Sequence, residues 1–290
     1  MTISFENQVA IVTGAGGGLG RCHALELARR GAKVVVNDLG GAMDGTGGSS
    51  AAAESVVSEI KAAGGEAIAN GGSVSDRAGA TSMIDDAMNA WGRVDILINN
   101  AGILRDKSFA KMTLDDFQVV MDVHLMGAVN CSHAVWPIMR EQNYGRILMT
   151  TSPTGLYGNF GQANYGAAKL AQVGFMHTLK IEGAKNNIHT NTIAPVAATR
   201  MTEDLIPEEA QKNLGPELVT PAAMFLVSDG APNGVIMQAQ GGKYSIACIV
   251  ENGGVELGAD ADADDVAASY EKIADLEGAK PRGMLQLSAV

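Results

Sequence analysis

The chain has 290 residues, of which 46% are hydrophobic, and a formal net charge of −11 at pH 7. A chain of this length and apolar content can build one large domain with a substantial core. The negative charge argues against broad binding to nucleic acid or to an anionic membrane surface, because both need an extended basic face. The negative net charge does not argue against binding of a small anionic molecule, since such a ligand needs only a local basic pocket.

Cysteine usage and the N-terminal sequence both indicate a reducing compartment. The three cysteines, Cys22, Cys131 and Cys248, are widely spaced and form no Cys-x-x-Cys pair, so neither a disulfide scaffold nor a zinc ribbon is expected. The start, MTISFENQVA, has no basic segment followed by an apolar run, and no later apolar stretch is long enough to span a bilayer. We therefore expect a cytoplasmic protein without a membrane partner.

Short apolar runs alternate with segments of helical apolar spacing along most of the chain. The runs VAIVT, KVVVND, VDILINN, GRILMTT and IHTNTIAP are typical of strands buried on both faces of a parallel sheet. Helices are predicted over residues 18–31, 50–63, 76–91, 114–140 and 163–186, and a late strand, VIMQAQ, is expected to close the sheet. This alternation predicts an α/β fold of the Rossmann type, a doubly wound parallel sheet with helices on both faces.

The C-terminal part departs from this rhythm. Residues 1–245 are predicted to form the Rossmann domain, and residues 246–290, which are polar and acidic, an extension with one helix near residues 264–277. The extension is expected to pack on the same domain or on a neighbouring subunit. Its acids match several positions of a calcium loop, but Asp265 stands where that loop needs glycine. Acids before a helix are explained by the helix dipole, so no metal site is predicted.

The first predicted strand runs into the glycine-rich segment TGAGGGLGR, which a predicted helix follows. Gly14, Gly18 and Gly20 allow a tight turn and a close approach of the backbone to a pyrophosphate, whose charge the helix N-terminus favours. Asp38 ends the second strand, where a carboxylate can accept hydrogen bonds from an adenosine ribose. The strand–turn–helix context predicts a nucleotide site rather than a purely structural turn.

Two further motifs lie at predicted carboxyl ends of strands. The segment NNAG, residues 99–102, is either a cofactor contact or an ordinary strand-ending turn. The strand RILMTTS delivers Ser152 to the same edge, and Tyr165 and Lys169 follow at helical positions i and i+4. Tyrosine is a poor base at neutral pH, but a neighbouring ammonium and a cationic nicotinamide both favour the phenolate. We predict that Ser152 hydrogen-bonds the reacting oxygen and that Tyr165 accepts its proton.

Together, TGAGGGLG, NNAG, Ser152 and YGAAK resemble the short-chain dehydrogenase/reductase family. The longer strings VVVNDLGG, NNAGILRDKSFAKMT, YGNFGQANYGAAK and NTIAP are similar to the (3R)-hydroxyacyl-CoA dehydrogenase part of peroxisomal multifunctional enzyme type 2, a 17β-hydroxysteroid dehydrogenase. The likeness implies an NAD-dependent enzyme that oxidises a secondary alcohol, foremost a (3R)-hydroxyacyl-CoA. A steroid or other bulky alcohol is the alternative substrate, and a non-catalytic NAD-sensing protein is the alternative of another class.

The resemblance also implies a role for each matching residue. Ser152, Tyr165 and Lys169 form the catalytic set, and Lys169 also holds the nicotinamide ribose. Asp38 would select NAD. Family members usually pair through two long helices, so a homodimer or a homotetramer is expected. The implied cofactor contacts are Gly14, Gly18, Leu19, Gly20, Asp38, Ser73, Val74, Asn100, Ala101, Gly102, Tyr165, Lys169, Pro195, Ala197, Ala198 and Thr199.

The chain departs from the wider family at three points. His124 stands where most members have asparagine and matches the narrower subfamily; it is either a participant in proton transfer or a satisfied core residue. Gly72 replaces an aspartate that usually touches adenine, which leaves Ser73 and Val74 to line that pocket. Val196 stands directly after Pro195, where most members have glycine, and is expected to alter only the loop.

A basic patch follows NNAG toward the expected substrate mouth, formed by Arg105, Lys107 and Lys111. Such a patch suits the phosphates of a CoA carrier, whereas a neutral steroid would gain nothing from it. Neighbouring aspartates offer an equally good explanation, in which the patch is solvated and only balances their charge.

Overall fold

The computed structural model describes residues 2–199 and 208–281, and the chain divides into two compact units, Met1–Ile246 and Ala247–Val290. Residues 282–290 of the predicted extension lie outside the described residues.

Within the described residues, the main sheet has eight strands. They are β1 (Val9–Thr13), β2 (Lys33–Asn37), β3 (Glu66–Asn70), β4 (Ile96–Asn99), β5 (Gly145–Thr150), β6 (Ile188–Val196), β7 (Ile236–Gln240) and β8 (Lys243–Ala247). Their spatial order is β3-β2-β1-β4-β5-β6-β7-β8, and neighbouring strands from β3 to β7 are parallel. The predicted doubly wound α/β fold is confirmed. One detail was wrong, because β7, the VIMQAQ strand, is followed by the further edge strand β8.

Helices connect the parallel strands and cover the sheet. They are α1 (Gly18–Arg29), α2 (Ala51–Ala62), α3 (Arg77–Trp91), α4 (Leu114–Met121), α5 (Gly127–Gln142), α6 (Pro153–Tyr157), α7 (Ala163–Gly183), α8 (Glu208–Gln211) and α9 (Thr220–Leu226). Every residue of β1, β4 and β5 is buried, as expected for strands covered on both faces.

The order of the strands reverses between β1 and β4, which opens a crevice at their carboxyl ends. Residues that follow Thr13, Asn99 and Thr150 all emerge at this edge, since the three strands are parallel neighbours in register. Two polar side chains start helices nearby: Thr113 caps α4 by accepting from Asp116 N at 3.0 Å, and Ser152 caps α6 by accepting from Thr154 N at 3.1 Å. The fold thus gathers the sequence motifs at one edge.

The predicted helix over residues 114–140 is not continuous. A single π-helical turn, Asp122–Met126, separates α4 from α5, and His124 lies in it. A Cβ atom on Gly102 would lie 2.3 Å from His124 Cε1, so the imidazole fills the space that a side chain at position 102 would take. Insertions of this kind widen a helix by one residue and often occur beside functional sites.

The second unit contains a two-stranded antiparallel pair, β9 (Val250–Glu251) and β10 (Lys280–Pro281), and two short helices, α10 (Ala263–Ala268) and α11 (Tyr270–Ile273). The single predicted helix over residues 264–277 is therefore two helices. Asp262 accepts from Asp264 N and Asp265 N at 2.9 and 3.1 Å, and Asp265 accepts in return from Asp262 N. These acids form a capping box at the start of α10.

No helix in the described ranges combines the length and apolar character needed to cross a bilayer.

Candidate active site

The glycine-rich turn between β1 and α1 packs against the NNAG segment without space for side chains. Gly14 has φ 63°, and a Cβ there would lie 2.8 Å from Ala101 Cα. A Cβ on Gly20 would lie 2.3 Å from the carbonyl oxygen of Gly14. Substitution at either position requires the backbone to move, so both glycines are needed for this turn.

The N-terminus of α1 is open toward the crevice. Its N-cap residue is Gly17, which has no capping side chain, and the first turn holds no acidic residue. The first turn of the helix therefore places no carboxylate of its own beside its first amides and the positive end of its dipole. Leu19 packs its side chain against the core and leaves its backbone in this first turn. The turn fits a pyrophosphate.

Asn100 holds the glycine-rich turn in place. Its Nδ2 donates to the carbonyl oxygens of Thr13 and Gly14 at 3.0 and 3.1 Å, and its backbone N–H donates to Thr13 Oγ1 at 3.0 Å. The N–H of Ala101 donates to the same hydroxyl at 3.1 Å. The NNAG segment is thus a support for the loop, and a ligand would meet the surface that this support shapes.

Asp38 lies half-buried directly after β2. Its Oδ2 accepts from Gly16 N and its Oδ1 from Gly40 N, both at 2.7 Å. These two bonds tie the carboxylate to the glycine-rich turn and to the loop that follows β2. Each oxygen keeps a further lone pair, which fits the paired hydroxyl groups of a ribose.

The remaining predicted cofactor contacts lie around the same crevice. Val74 is buried and packs on Gly127, and its carbonyl oxygen accepts from Asn130 Nδ2 at 3.0 Å. The hydroxyl of Ser73 pairs with that of Ser75 at 2.9 Å. Beyond β6, which contains Pro195 and Val196, Ala197 is buried, Ala198 N donates to Leu214 O at 2.6 Å, and Thr199 lies beside Gly18.

Ser152, Tyr165 and Lys169 meet where α6 and α7 cross the end of β5. Ser152 is buried and hydrogen-bonds the phenol of Tyr165, a contact that favours the phenolate. Lys169 is only 2% exposed, its Nζ donates to Thr150 O, and it lies 5.4 Å from the centre of the Tyr165 ring. Burial lowers the pKa of Lys169 to about 7.

The Tyr165 hydroxyl does not have the lowered pKa that the sequence predicted. Desolvation raises its pKa, the hydrogen bond from Ser152 opposes this increase, and the charge of Asp106 adds to it. Lys169 contributes little, because burial disfavours its charged form and its Nζ is directed at a backbone carbonyl. The predicted decrease is therefore not a property of the chain by itself.

His124 packs edge-on against Tyr165, with the ring centres 5.1 Å apart. Its Nε2 contacts the N–H and the carbonyl oxygen of Ile103 at 3.1 and 2.8 Å, and burial lowers its pKa well below the usual value. The Nδ1 of this buried ring has no hydrogen-bond partner among the described residues, so the imidazole is not fully satisfied as a core residue. The part of His124 in proton transfer stays a prediction.

Two of the three cations in the basic patch are held by one carboxylate. Arg105 Nη1 and Lys107 Nζ each lie 3.1 Å from an oxygen of Asp116. Hydrogen bonds from Thr113, Lys107 and Arg105 lower the pKa of Asp116 to about 2. Lys111 is exposed and, among the described residues, has no ion pair. Asp116 thus offsets one of the three positive charges, and the choice between a solvated patch and a site for CoA phosphates stays open.

The profile of a family described as short chain dehydrogenase matches residues 8–210. A short-chain type dehydrogenase/reductase of Mycobacterium tuberculosis is 49% identical over 279 residues, covering 96% of this chain and 98% of that protein. Peroxisomal multifunctional enzyme type 2 of Drosophila melanogaster is 46% identical over 289 residues, covering 98% of this chain and 48% of the enzyme. The chain thus spans about half the length of that enzyme.

Solved structures agree with these sequence relationships. The full-length Drosophila melanogaster enzyme superposes with a TM-score of 0.81 over 97% of this chain and 48% of its own. A 7α-hydroxysteroid dehydrogenase, complexed with NADH and 7-oxo glycochenodeoxycholic acid, superposes with a TM-score of 0.75 and 31% identity. That superposition covers 82% of this chain and 95% of the other.

Proposed function

The chain belongs to the short-chain dehydrogenase family, and from this premise we propose that it oxidises a secondary alcohol, foremost a (3R)-hydroxyacyl-CoA, with NAD. Because it belongs to this family, the chain is an enzyme that acts on alcohols with NAD(P). This conclusion argues against the alternative of a non-catalytic NAD-sensing protein.

One observation carries the proposal: Ser152, Tyr165 and Lys169 converge at the crevice whose glycine-rich turn fits a pyrophosphate. A hydroxyl donor, a phenol and a buried amine are the groups that proton removal from an alcohol needs. The likeness of the whole chain to known dehydrogenases supports assigning these residues the same roles here.

A nicotinamide held at this crevice would supply the acceptor for the hydride. With an alcohol bound, Ser152 would turn its single hydroxyl proton from Tyr165 to the alcohol oxygen and hold that oxygen beside the phenol. Tyr165 takes the hydroxyl proton as its phenolate, and Lys169 favours that phenolate when protonated. Because the pKa of Lys169 is about 7, this assistance is sensitive to pH near neutrality. His124 fixes the ring of Tyr165 by packing.

NAD is proposed over NADP because of Asp38. The first turn of α1, with Gly14, Gly18, Leu19 and Gly20, would hold the pyrophosphate, and Asp38 the adenosine ribose. Asn100 to Gly102, Ser73 and Val74 would shape the adenosine side. The segment from Pro195 to Thr199 would meet the nicotinamide carboxamide.

The substrate class rests on the likeness to peroxisomal multifunctional enzyme type 2. The basic patch adds modest support, since Arg105 and Lys107 share the single carboxylate of Asp116 and Lys111 has no ion pair among the described residues, which leaves positive charge to meet a CoA phosphate. A steroid is the second candidate, because a 7α-hydroxysteroid dehydrogenase has a similar structure.

The substrate proposal is tested with purified protein and NAD on a matched panel. The panel contains (3R)- and (3S)-hydroxyacyl-CoA of equal chain length and a 17β-hydroxysteroid. We expect kcat/KM for the (3R) thioester to exceed both others by at least about tenfold, the ratio that 1.4 kcal/mol of transition-state binding produces. A steroid preference would favour the second candidate, and equal use of both thioesters would contradict the stereochemical assignment.

We further propose a homodimer or homotetramer, with residues 1–245 as the dehydrogenase domain, residues 246–290 as its extension, and a cytoplasmic location. Apolar side chains exposed on the segments around α4 and α7 support pairing there, since such a surface is more stable when covered. They are Leu114, Met126, Leu170 and Ile181, between 39% and 82% exposed.

A further inference from the structure

The segment that follows NNAG is bonded to the start of α7 at three successive residues. Arg105 O accepts from Asn164 Nδ2 at 3.2 Å, and Lys107 N donates to Gly161 O at 2.9 Å. Between them, an oxygen of the Asp106 carboxylate accepts from Gln162 Nε2 at 2.6 Å. The loop that follows NNAG is thereby joined to the start of α7.

Asp106 sets the orientation of a buried amide. Gln162 is only 6% exposed, and because its Nε2 faces a carboxylate, its Oε1 must face the opposite way. There, Oε1 accepts from Thr154 Oγ1 and from Asn159 Nδ2, both at 3.0 Å. Each polar atom of this amide therefore has a partner, and the carboxylate decides which atom meets which partner.

The far end of this network is the catalytic set. Thr154 donates its backbone N–H to Ser152 Oγ at 3.1 Å. The carbonyl oxygen of Gln162 accepts from Gly166 N at 2.7 Å, so Gln162 also starts the helix that carries Tyr165. Hydrogen bonds thus link Asp106 to Gln162 and Gln162 to the side chain of Thr154, whose backbone N–H bonds Ser152, while the carbonyl of Gln162 bonds the first turn of α7.

We propose that Asp106 is a positioning residue of the reaction, which through Gln162 and Thr154 holds Ser152 and the first turn of α7 at their working separation. The inference rests on the proposed role of Tyr165. Asp106 touches neither the reacting atoms nor a metal, and it acts through its neighbours.

The charge of Asp106 also acts on the pKa of Tyr165, and this effect can be separated from that of the hydrogen bonds. Two side chains act on the pKa of the Tyr165 hydroxyl: Ser152 lowers it by its hydrogen bond, and Asp106 raises it by its charge. Lys169 and His124 lie against the Tyr165 ring, and burial disfavours the charged form of each. Desolvation raises the pKa of the Asp106 carboxyl, and its ionised form raises the pKa of Tyr165. The cations next to it in sequence, Arg105 and Lys107, are directed at Asp116.

Two variants separate these effects. In Asp106→Asn the amide oxygen can still accept from Gln162, but the charge is lost. In Gln162→Met the charge remains, but the bonds to Asp106, Thr154 and Asn159 are lost. Asp115→Asn is the matched control, because Asp115 is an exposed aspartate nearby on α4 and its replacement changes the net charge equally.

The measurement is kcat/KM for alcohol oxidation across pH, with thermal unfolding as the check on folding. We expect kcat/KM of Asp106→Asn at high pH to stay within about threefold of the wild-type value. The acidic limb of its pH profile should move to lower pH, because Tyr165 loses a neighbouring negative charge and its pKa falls. Gln162→Met should lose at least about tenfold in kcat with its acidic limb unmoved. Asp115→Asn should match the wild type in both respects.

The proposal is overturned if Asp106→Asn follows Asp115→Asn in its pH profile, or if Gln162→Met keeps the wild-type kcat. Failure of the proposed function gives a different result, since Tyr165→Phe would then stay active whatever the Asp106 variants do. If Gln162→Met does not fold, Asp106→Ala replaces it, with the same tenfold loss expected.

Discussion

The variant Tyr165→Phe is expected to lose at least roughly a hundredfold in kcat, because a positioned general base contributes about 10²–10⁴-fold to a proton transfer. Phenylalanine keeps the ring that packs edge-on against His124 and removes only the hydroxyl. NAD binding, measured by calorimetry on the variant, should change by less than about twofold. Loss of rate without loss of binding is what separates a base from a residue that holds the cofactor.

Tyr157→Phe is the matched control for this experiment. Tyr157 is 68% exposed, and its hydroxyl accepts from Gln238 Nε2 at 2.9 Å. Its replacement should leave kcat near the wild-type value. Retention of more than a few per cent of activity in Tyr165→Phe would show that this hydroxyl is not the base.

A preference for NAD over NADP of at least tenfold in kcat/KM is the second large effect expected. Two unit charges about 4 Å apart at a protein surface interact by roughly 4 kcal/mol, and a third of this value is about tenfold in affinity. The carboxylate of Asp38 would face the additional phosphate of NADP. Asp38→Asn removes the charge at nearly constant size and should narrow the ratio mainly by improving kcat/KM with NADP.

Asp38 also accepts from Gly16 and Gly40, so its replacement needs a check on folding. Thermal unfolding provides this check, and Asp85→Asn, at an exposed position on α3, provides the charge-matched control. Equal use of the two cofactors by the wild type would refute the assignment of Asp38. If Asp38→Asn keeps the wild-type ratio of kcat/KM with NAD to kcat/KM with NADP, residues other than Asp38 discriminate between the two cofactors.

Much of the fold could be predicted because its signals are local. Strands buried on both faces are apolar throughout, and a glycine-rich turn between a strand and a helix is visible in a few consecutive residues. The spacing of Tyr165 and Lys169 likewise follows from helical geometry, and the structure places the Lys169 amine 5.4 Å from the ring centre. These features depend on neighbours along the chain.

Features that depend on distant contacts could not be predicted. The π-helical turn at His124 follows from the way this ring fills the space beside Gly102, which helical periodicity cannot reveal. Gln162 and Asp106 are far apart in the sequence, and nothing in the motif around Tyr165 indicates that they bond. The pairing of Arg105 and Lys107 with Asp116 was left as one of two alternatives, because sequence gives charges but not directions.

The most direct test follows a deuterium atom from C3 of a (3R)-hydroxyacyl-CoA. The wild-type protein is mixed with NAD and the labelled thioester, and the reduced cofactor is analysed by mass spectrometry. Direct hydride transfer predicts one deuterium in each reduced cofactor from the (3R) thioester, and at most about a tenth as much reduced cofactor from the (3S) thioester in the same time. Unlabelled reduced cofactor, or none from the (3R) thioester, would contradict the proposal that this chain is a (3R)-hydroxyacyl-CoA dehydrogenase.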